Sequence, residues 1–316
     1  MVIKRRKKPL ELVVLEALAS RIRKNHLSLS KIQKEIATRQ KGFSGELKAD
    51  YFLEQLSNRA TILQDVGLQV NGRAVQIDTI IITSYSIYCI EVKNIEGTIL
   101  FNTRLRQFIQ RNGEIEKAFR YPLNQAEHQK LQLQMWLHQR QVKNVPISYF
   151  IAISEPSTII QVEGNEKEIA KLVAHAEFIP TMIKQNDEQL RRTRQSALPH
   201  RQIGQMILDE CVQYKRDILP KYNLLRSDIV DGVKCPHCLE AVMQWNKRVW
   251  RCRHCRMHSR NAHIDALDDY FLLINSSITN KQARKFLKVN SRHTVYRLLS
   301  NANLNYDSRK RAWRKK

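Results

Sequence analysis

The chain predicts an α/β fold, a central mixed sheet flanked by helices, followed by a small cysteine module and a helical tail. Three observations point there. Between Ala60 and Phe119 the apolar residues recur with period two, as in strands with one buried face. Helical patterns bracket that run, with Leu47, Tyr51, Phe52 and Leu56 before it and Leu123, Ala126, Leu131, Met135 and Leu137 after it. Four of the six cysteines gather in two C-x-x-C pairs late in the chain.

Taken in order, residues 1–41 read as a basic helical N-terminal arm, with Leu10–Lys24 and Ser30–Thr38 as helices. The glycines of Gly42-Phe-Ser-Gly45-Glu46 break that pattern, and a new helix runs on to about Leu56. Strands are expected at Ile62–Val66, Val75–Thr83, Ile87–Val92, Gly97–Phe101 and Arg106–Gln110, with turns at Val70-Asn71-Gly72-Arg73 and Arg111-Asn112-Gly113-Glu114. A helix opens at Pro122, a normal helix start, and reaches about Gln139. Ile147–Ile153 is apolar at nearly every position and reads as a buried strand, which closes a core over 42–155. Residues 156–230 form a helical extension or linker: a strand near Ile159–Val162, helices after Glu166, near Ile179 and from Ile203 to Ile218, and a polar stretch at 184–202. The cysteine module spans 231–264 and the basic tail 265–316.

The charge balance narrows the partners. Fifty-four Lys and Arg against 30 Asp and Glu leave +24, with a pI near 10.0. Self-repulsion of that size opposes compaction, so it marks a polyanionic partner, nucleic acid before an anionic membrane surface. No apolar run approaches the ~18 residues of a membrane span. Lys4-Arg5-Arg6-Lys7-Lys8 ahead of Leu10–Ala19 mimics a signal peptide, but Glu11 and Glu16 interrupt its apolar stretch, and Leu12, Leu15 and Leu18 suit an amphipathic helix. Metal-type cysteine pairs in place of a disulfide framework point to the cytoplasm.

Chemistry concentrates where charges interrupt core strands. In Tyr85-Ser-Ile-Tyr-Cys-Ile-Glu91-Val92-Lys93, alternation sends Glu91 and Lys93 to one face and Tyr88, Ile90 and Val92 to the other. A carboxylate and an ammonium on a core strand are costly to desolvate unless they pair or hold something. Asp78, in the preceding strand with Gln76, Ile80 and Ile82 on its face, is poorly explained by packing. Hydrolysis of a phosphodiester needs a divalent ion on oxygen ligands, an activated water and neutralisation of charge at phosphorus. Asp78 and Glu91 on neighbouring strands suit Mg²⁺ (or Mn²⁺), with Lys93 beside them for the water or the charge. A second E-x-K, Glu46-Leu47-Lys48, lies on a helix and does not share a face in the same way.

Gly42-Phe-Ser-Gly45-Glu46, Gln76-Ile77-Asp78, Glu91-Val92-Lys93-Asn94 with Gly97, and Pro122-Leu-Asn-Gln125-Ala-Glu-His128 occur in that order. Together they resemble the nuclease-related domain (NERD) family of the PD-(D/E)xK nuclease superfamily over about 42–140. The resemblance implies a nuclease-like core. In it Glu46 completes the metal shell, often through water, Asp78 and Glu91 are direct ligands, and Lys93 positions the attacking water. It also makes Gln125 an auxiliary contact to the site or the DNA backbone. One departure lies in the strand after Gly97, where the family commonly carries Trp and this chain has Gln107-Phe108. His128, one turn from Gln125, reads more simply as a structural residue.

Cys235-Pro-His-Cys238 and Cys252-Arg-His-Cys255 supply the four thiolates of a structural zinc ribbon, with Val242–Trp245 and Arg248–Arg251 as its strands. The basic and aromatic stretch Trp245 to Arg253 suits a nucleic-acid contact. Cys89 and Cys211 read as buried small hydrophobes. Residues 282–289 and 290–299 resemble a helix-turn-helix, with Arg292, His293 and Arg297 facing the DNA groove and Lys288 where such turns often carry glycine. The expected function is an Mg-dependent (endo)deoxyribonuclease acting on DNA with accessory binding modules. The alternatives are a non-catalytic DNA-binding regulator on the same scaffold and a nuclease acting on RNA.

Overall fold

Alternating apolar residues between 61 and 93 build three neighbouring strands of one sheet in this computed structural model. It describes residues 1–193, 197–213, 218–239 and 242–316. The chain divides into two compact units, Met1–Pro9 with Thr38–Tyr214, and Leu10–Ala37 with Lys215–Lys316.

The chain opens with β1 (Val2–Lys4), α1 (Leu10–Arg21) and the long α2 (Leu29–Leu53). Next come β2 (Thr61–Val70), β3 (Arg73–Ile82), β4 (Ile87–Lys93), β5 (Thr98–Asn102), β6 (Gln107–Asn112) and β7 (Ile115–Phe119). After α3 (Pro122–Gln139) follow β8 (Ile147–Ile153), β9 (Ile159–Glu163), α4 (Glu166–Ala170), β10 (Val173–His175), α5 (Ile179–Thr193) and α6 (His200–Asp209). The main sheet of the first unit has the order β1-β2-β3-β4-β8-β10. Its β2–β3–β4 meander is antiparallel, whereas β8 pairs parallel with β4 after the excursion that contains α3. A second sheet, β7-β6-β5-β9, lies within that excursion and beyond it.

Strand alternation gives the main sheet two apolar faces. Ile80, Ile82, Ile87 and Cys89 pack with Leu133 and Trp136 of α3 and Ile203 and Ile207 of α6. Ile81, Tyr88, Ile90 and Val92 pack with Ala49 and Leu53 of α2 and Ile179 and Ile183 of α5. Each fully buried Leu or Ile contributes roughly 1.5–3 kcal/mol, so these two layers carry much of this unit's stability. Phe108 is buried with its ring 4.7 Å from Phe101.

Several elements differ from expectation. The glycines at 42 and 45 do not interrupt a helix; α2 runs through both. A Cβ on Gly45 would lie 2.3 Å from Asn94 Cβ and 2.6 Å from Ser154 Oγ, so this glycine permits close approach of helix and sheet. The stretch expected as linker, 184–202, is largely helical, in α5 and the start of α6, with 194–196 outside the described residues. The helix expected to reach Ile218 ends at Asp209, and 214–217 lie outside the described residues. Residues 2–4 form a strand that the basic pattern of the arm conceals.

In the second unit, α1 buries Leu15 and Leu18 with Ile32, Tyr222, Leu224 and Leu273, as its amphipathic spacing predicts. The remaining elements are β11 (Val233–Lys234), β12 (Val242–Asn246), β13 (Val249–Arg251), β14 (His258–Ser259) and α7 (Ala262–Leu273). They are followed by β15 (Ser277–Thr279), α8 (Asn280–Leu287), α9 (Arg292–Ser300), β16 (Leu304–Asp307) and β17 (Ala312–Lys315). The tail is therefore not helical throughout: β16 and β17 form a hairpin that pairs with β15 in the order β15-β17-β16. One core holds Cys235, Cys252 and Trp250 together with Leu267, Phe286, Leu299 and Trp313, so ribbon and helices share their packing. Lys288 ends α8 at φ 57°, the left-handed conformation that usually draws glycine.

Candidate active site and metal centre

The β3–β4 register builds the site. Thr79 faces Ile90, so Asp78 and Glu91 are the next residues across the ladder, at the close spacing of cross-strand neighbours. The Val92 amide donates to Asp78 Oδ2 at 2.9 Å, tying the acid to the neighbouring strand. Two residues along β4, Lys93 Nζ donates to Glu91 Oε1 and lies 3.3 Å from Gln125 Oε1 on α3. Asp78, Glu91, Lys93 and Gln125 thus come together at one place. Glu46 reaches it from α2, its charge felt by Asp78. Lys48 of the second E-x-K instead pairs with Glu155 Oε2 at 2.9 Å.

Three neighbours were not anticipated. Gln129 is buried and donates to Glu91 Oε2 at 2.7 Å and to the Gln76 carbonyl at 3.1 Å, while His128 beside it is exposed. It stands four residues after Gln125, so helical spacing alone marks it as a same-face partner. Asp50 stands likewise four residues after Glu46. Arg6 has no comparable signal. Its side chain, 2% exposed, donates to Glu46 Oε2 and Asp50 Oδ2 at 2.7 Å each and to the Asp78 carbonyl at 2.6 Å.

The electrostatics are those of crowded acids. Burial, then the charges of Glu91 and Glu46, push the Asp78 carboxyl well above its usual range, against the Val92 bond and Lys93. Burial also raises Glu46, opposed by Arg6 and reinforced by Asp65, Asp50 and Glu91. Oδ1 of Asp78 and Oε1 of Glu46 take no hydrogen bond among the described residues, and the buried Gln129 Oε1 has no partner. Hard oxygen donors around mutually repelling carboxylates are the donor set that a divalent ion such as Mg²⁺ or Mn²⁺ takes, and Asp78 and Glu91 are the residues that could hold one.

The four sulfurs of Cys235, Cys238, Cys252 and Cys255 lie within 4.8 Å of one another and form no disulfide. Two of the separations are 3.5 and 3.6 Å, close to the ~3.8 Å edge of a tetrahedron with Zn–S near 2.3 Å. The cluster is compatible with a zinc ribbon. Trp250 Nε1 donates to His263 Nδ1 at 3.2 Å, and His263 Nε2 lies 3.3 Å from the Leu298 carbonyl. His263 is therefore the Nε2–H tautomer, and burial holds its pKa below the ordinary value against that carbonyl and Asp265. Arg292, His293 and Arg297 are exposed on α9, whose N-cap is Ser291. Among the described residues, no helix is long and apolar enough to cross a membrane.

Residues 41–154 match the family model of the nuclease-related domain (NERD), a segment a little over a third of the chain. It starts in α2 ahead of Glu46 and ends just past β8, so all five converging residues lie inside it. No curated protein and no solved structure matches the chain.

Proposed function

We propose, taking the nuclease-related segment at 41–154 as the premise, that this protein is a metal-dependent nuclease that hydrolyses DNA phosphodiester bonds. The observation that carries this reading is Lys93 held between Glu91 and Gln125, with Asp78 directly across the ladder. A divalent ion on Asp78 and Glu91 would act as a Lewis acid toward the phosphate and lower the pKa of a bound water. Lys93 Nζ, fixed by two acceptors, donates to the attacking water and meets the negative charge that grows on the phosphoryl oxygens. Gln129 keeps the Glu91 carboxylate from rotating, and Gln125 does the same for the ammonium. Glu46 completes the acid shell from α2.

The accessory modules favour duplex DNA. The order α7, β15, α8, α9 and the β16–β17 hairpin is that of a helix-turn-helix with a wing, which supports the reading that Arg292, His293 and Arg297 face the groove. The turn between β16 and β17 carries exposed Arg309, Lys310 and Arg311, suited to phosphate. The zinc ribbon is structural, since four cysteine ligands leave no open position.

The test is incubation with linear, circular and single-stranded DNA, with Mg²⁺ and with chelator. Asp78→Ala and Lys93→Ala are expected to lower cleavage by about 10²-fold or more while DNA affinity stays within about twofold. Cleavage of closed circles assigns endonuclease action, and cleavage of RNA under the same conditions moves the substrate assignment. A second reading is favoured by Arg6, which already neutralises Glu46 and Asp50: a non-catalytic DNA-binding regulator on a nuclease scaffold. Wild-type rates in both variants would discard the site, and no cutting of any substrate would select the regulator.

A further inference from the structure

A cavity of about 270 Å³ opens between the β12–β13 hairpin and α9, within the second unit. Its wall combines the half-buried indole of Trp245 with the guanidinium side chains of Arg248, Arg260 and Arg297, and with Asn301 and the buried His263. No acid lines it, and none of the three arginines has an ion-pair partner among the described residues. Three arginines without an acidic partner around one concavity leave their positive charge uncompensated, an arrangement that suits an anion with several acceptor oxygens.

The hairpin that presents Arg248 supplies a second observation. Lys247 and Arg248 occupy the two central positions of its turn at φ 47° and 64°. That turn geometry ordinarily selects Asn-Gly, because side chains at positive φ cost roughly 1 kcal/mol each. Here two long cations are kept in the strained conformation, and one of them reaches the cavity. Strain of this kind gathers where a side chain must be aimed at something.

We infer that this cavity is a binding site for one unpaired nucleotide of a DNA strand, its base against Trp245 and its phosphates on Arg248, Arg260 and Arg297. An indole offers a stacking surface that tolerates any base, and guanidinium forks match phosphate oxygens. At about 270 Å³ the cavity falls just below the range of drug-sized ligand sites, about 300–1,000 Å³, which suits a single ring system and excludes a duplex. The position of Arg297 joins this site to the exposed N-terminal half of α9. A strand unpaired beside a duplex held on that helix would find the cavity within one element's length. The inference rests on the DNA reading above and adds the substrate feature that this unit selects: an overhang, a gap or an extruded base.

The experiment uses the full-length, zinc-loaded protein without added magnesium, so that no cutting occurs. Binding of fluorescently labelled oligonucleotides is followed by anisotropy, comparing a blunt duplex, the same duplex with a short single-stranded overhang, and a free mononucleotide as competitor. The overhang duplex should bind more tightly than the blunt one. Trp245→Ala should weaken overhang binding by between about fivefold and 150-fold, the range that one to three kcal/mol of base stacking represents, while blunt-duplex binding changes less than twofold. Arg248→Gly separates binding from folding. It relaxes the turn, so thermal stability should hold or rise while overhang affinity falls. Equal affinities of wild-type protein for blunt and overhang duplexes, or an Arg248→Gly variant with undiminished overhang binding, would overturn the inference. Competition by the mononucleotide alone, without preference for the overhang, would also overturn it, showing a free-nucleotide site. A dead carboxylate site appears instead as lost cleavage with overhang preference intact, so the two failures are distinguishable.

Discussion

Arg6 is a buried cation whose side chain ties Glu46 and Asp50 of α2 to the Asp78 carbonyl of β3. Asp78, Glu91 and Lys93 are legible because strand alternation fixes which face each occupies, and packing alone gives no reason for a charge on a core face. Arg6 sits in a run of five cations that reads only as a basic arm, yet its side chain is buried against Glu46 and Asp50. Its partners lie at least forty positions away, beyond any local pattern. Arg6→Ala leaves Asp50, itself 5% exposed, without its counter-charge and should lower the unfolding free energy by about 3–5 kcal/mol in a urea titration. Arg6→Lys keeps the charge without the two-pronged geometry and should recover only part of that loss. His263 carries a pH signature. Its folded pKa lies below the unfolded value, so its contribution is fully present above about pH 6.5 and is lost as pH falls below that toward the folded pKa. Melting temperatures of wild type and His263→Gln should therefore differ most at pH 8 and converge toward pH 5; a constant difference would reject this assignment.

At the scale of elements, the strands from 61 to 93 and from 147 to 153 were legible to within a few residues, because buried β-branched runs bounded by turns have one reading. Helix bounds were less so. Glycine lowers helix propensity, which is why 42–45 read as a break, but propensity is local and packing of α2 against the sheet overrides it. The two glycines should now behave oppositely. Nothing lies within 4 Å of a Cβ on Gly42, so Gly42→Ala should stabilise by about 0.5–1 kcal/mol. Gly45→Ala meets Asn94 and Ser154, should destabilise by about 1–3 kcal/mol, and should lower cleavage by displacing Glu46. Calorimetry and a nuclease assay on both variants check the signs. The strands β16 and β17 leave no strand signal in the sequence because the basic residues between Arg309 and Lys316 outweigh Tyr306 and Trp313 in any local pattern, although those two rings pack 4.9 Å apart.

For the molecule as a whole, the +24 charge was the plainest message of the composition, and it implies affinity that falls steeply with salt. The two units should answer differently to metal removal. Cys235 and Cys252 belong to the same core as Trp250, Phe286 and Leu299, so stripping zinc removes a support of the entire cluster. A strong chelator should lower the melting of the unit containing Lys215–Lys316, followed by tryptophan fluorescence, and leave the other transition unchanged. Cys235→Ser should reproduce the effect without chelator. The gathering of the four cysteines was fully legible, since two C-x-x-C pairs are spaced as a four-thiolate metal site requires; the shared core was not, because it depends on contacts between residues far apart in the chain.

The turn joining β3 to β4 has a consequence for how this chain can change length. It is pinned by the Thr83 amide on the Ser86 carbonyl and by the Thr83 hydroxyl, which accepts from the Ser86 amide and donates to Asp187. One inserted residue there would shift β4 by a single step and exchange its two faces, sending Glu91 and Lys93 among Tyr88's apolar neighbours. The β6–β7 turn at Gly113 lies between largely exposed strands and carries no such penalty. Insertions and deletions among descendants of this sequence should therefore collect at the second hairpin and be absent from the first.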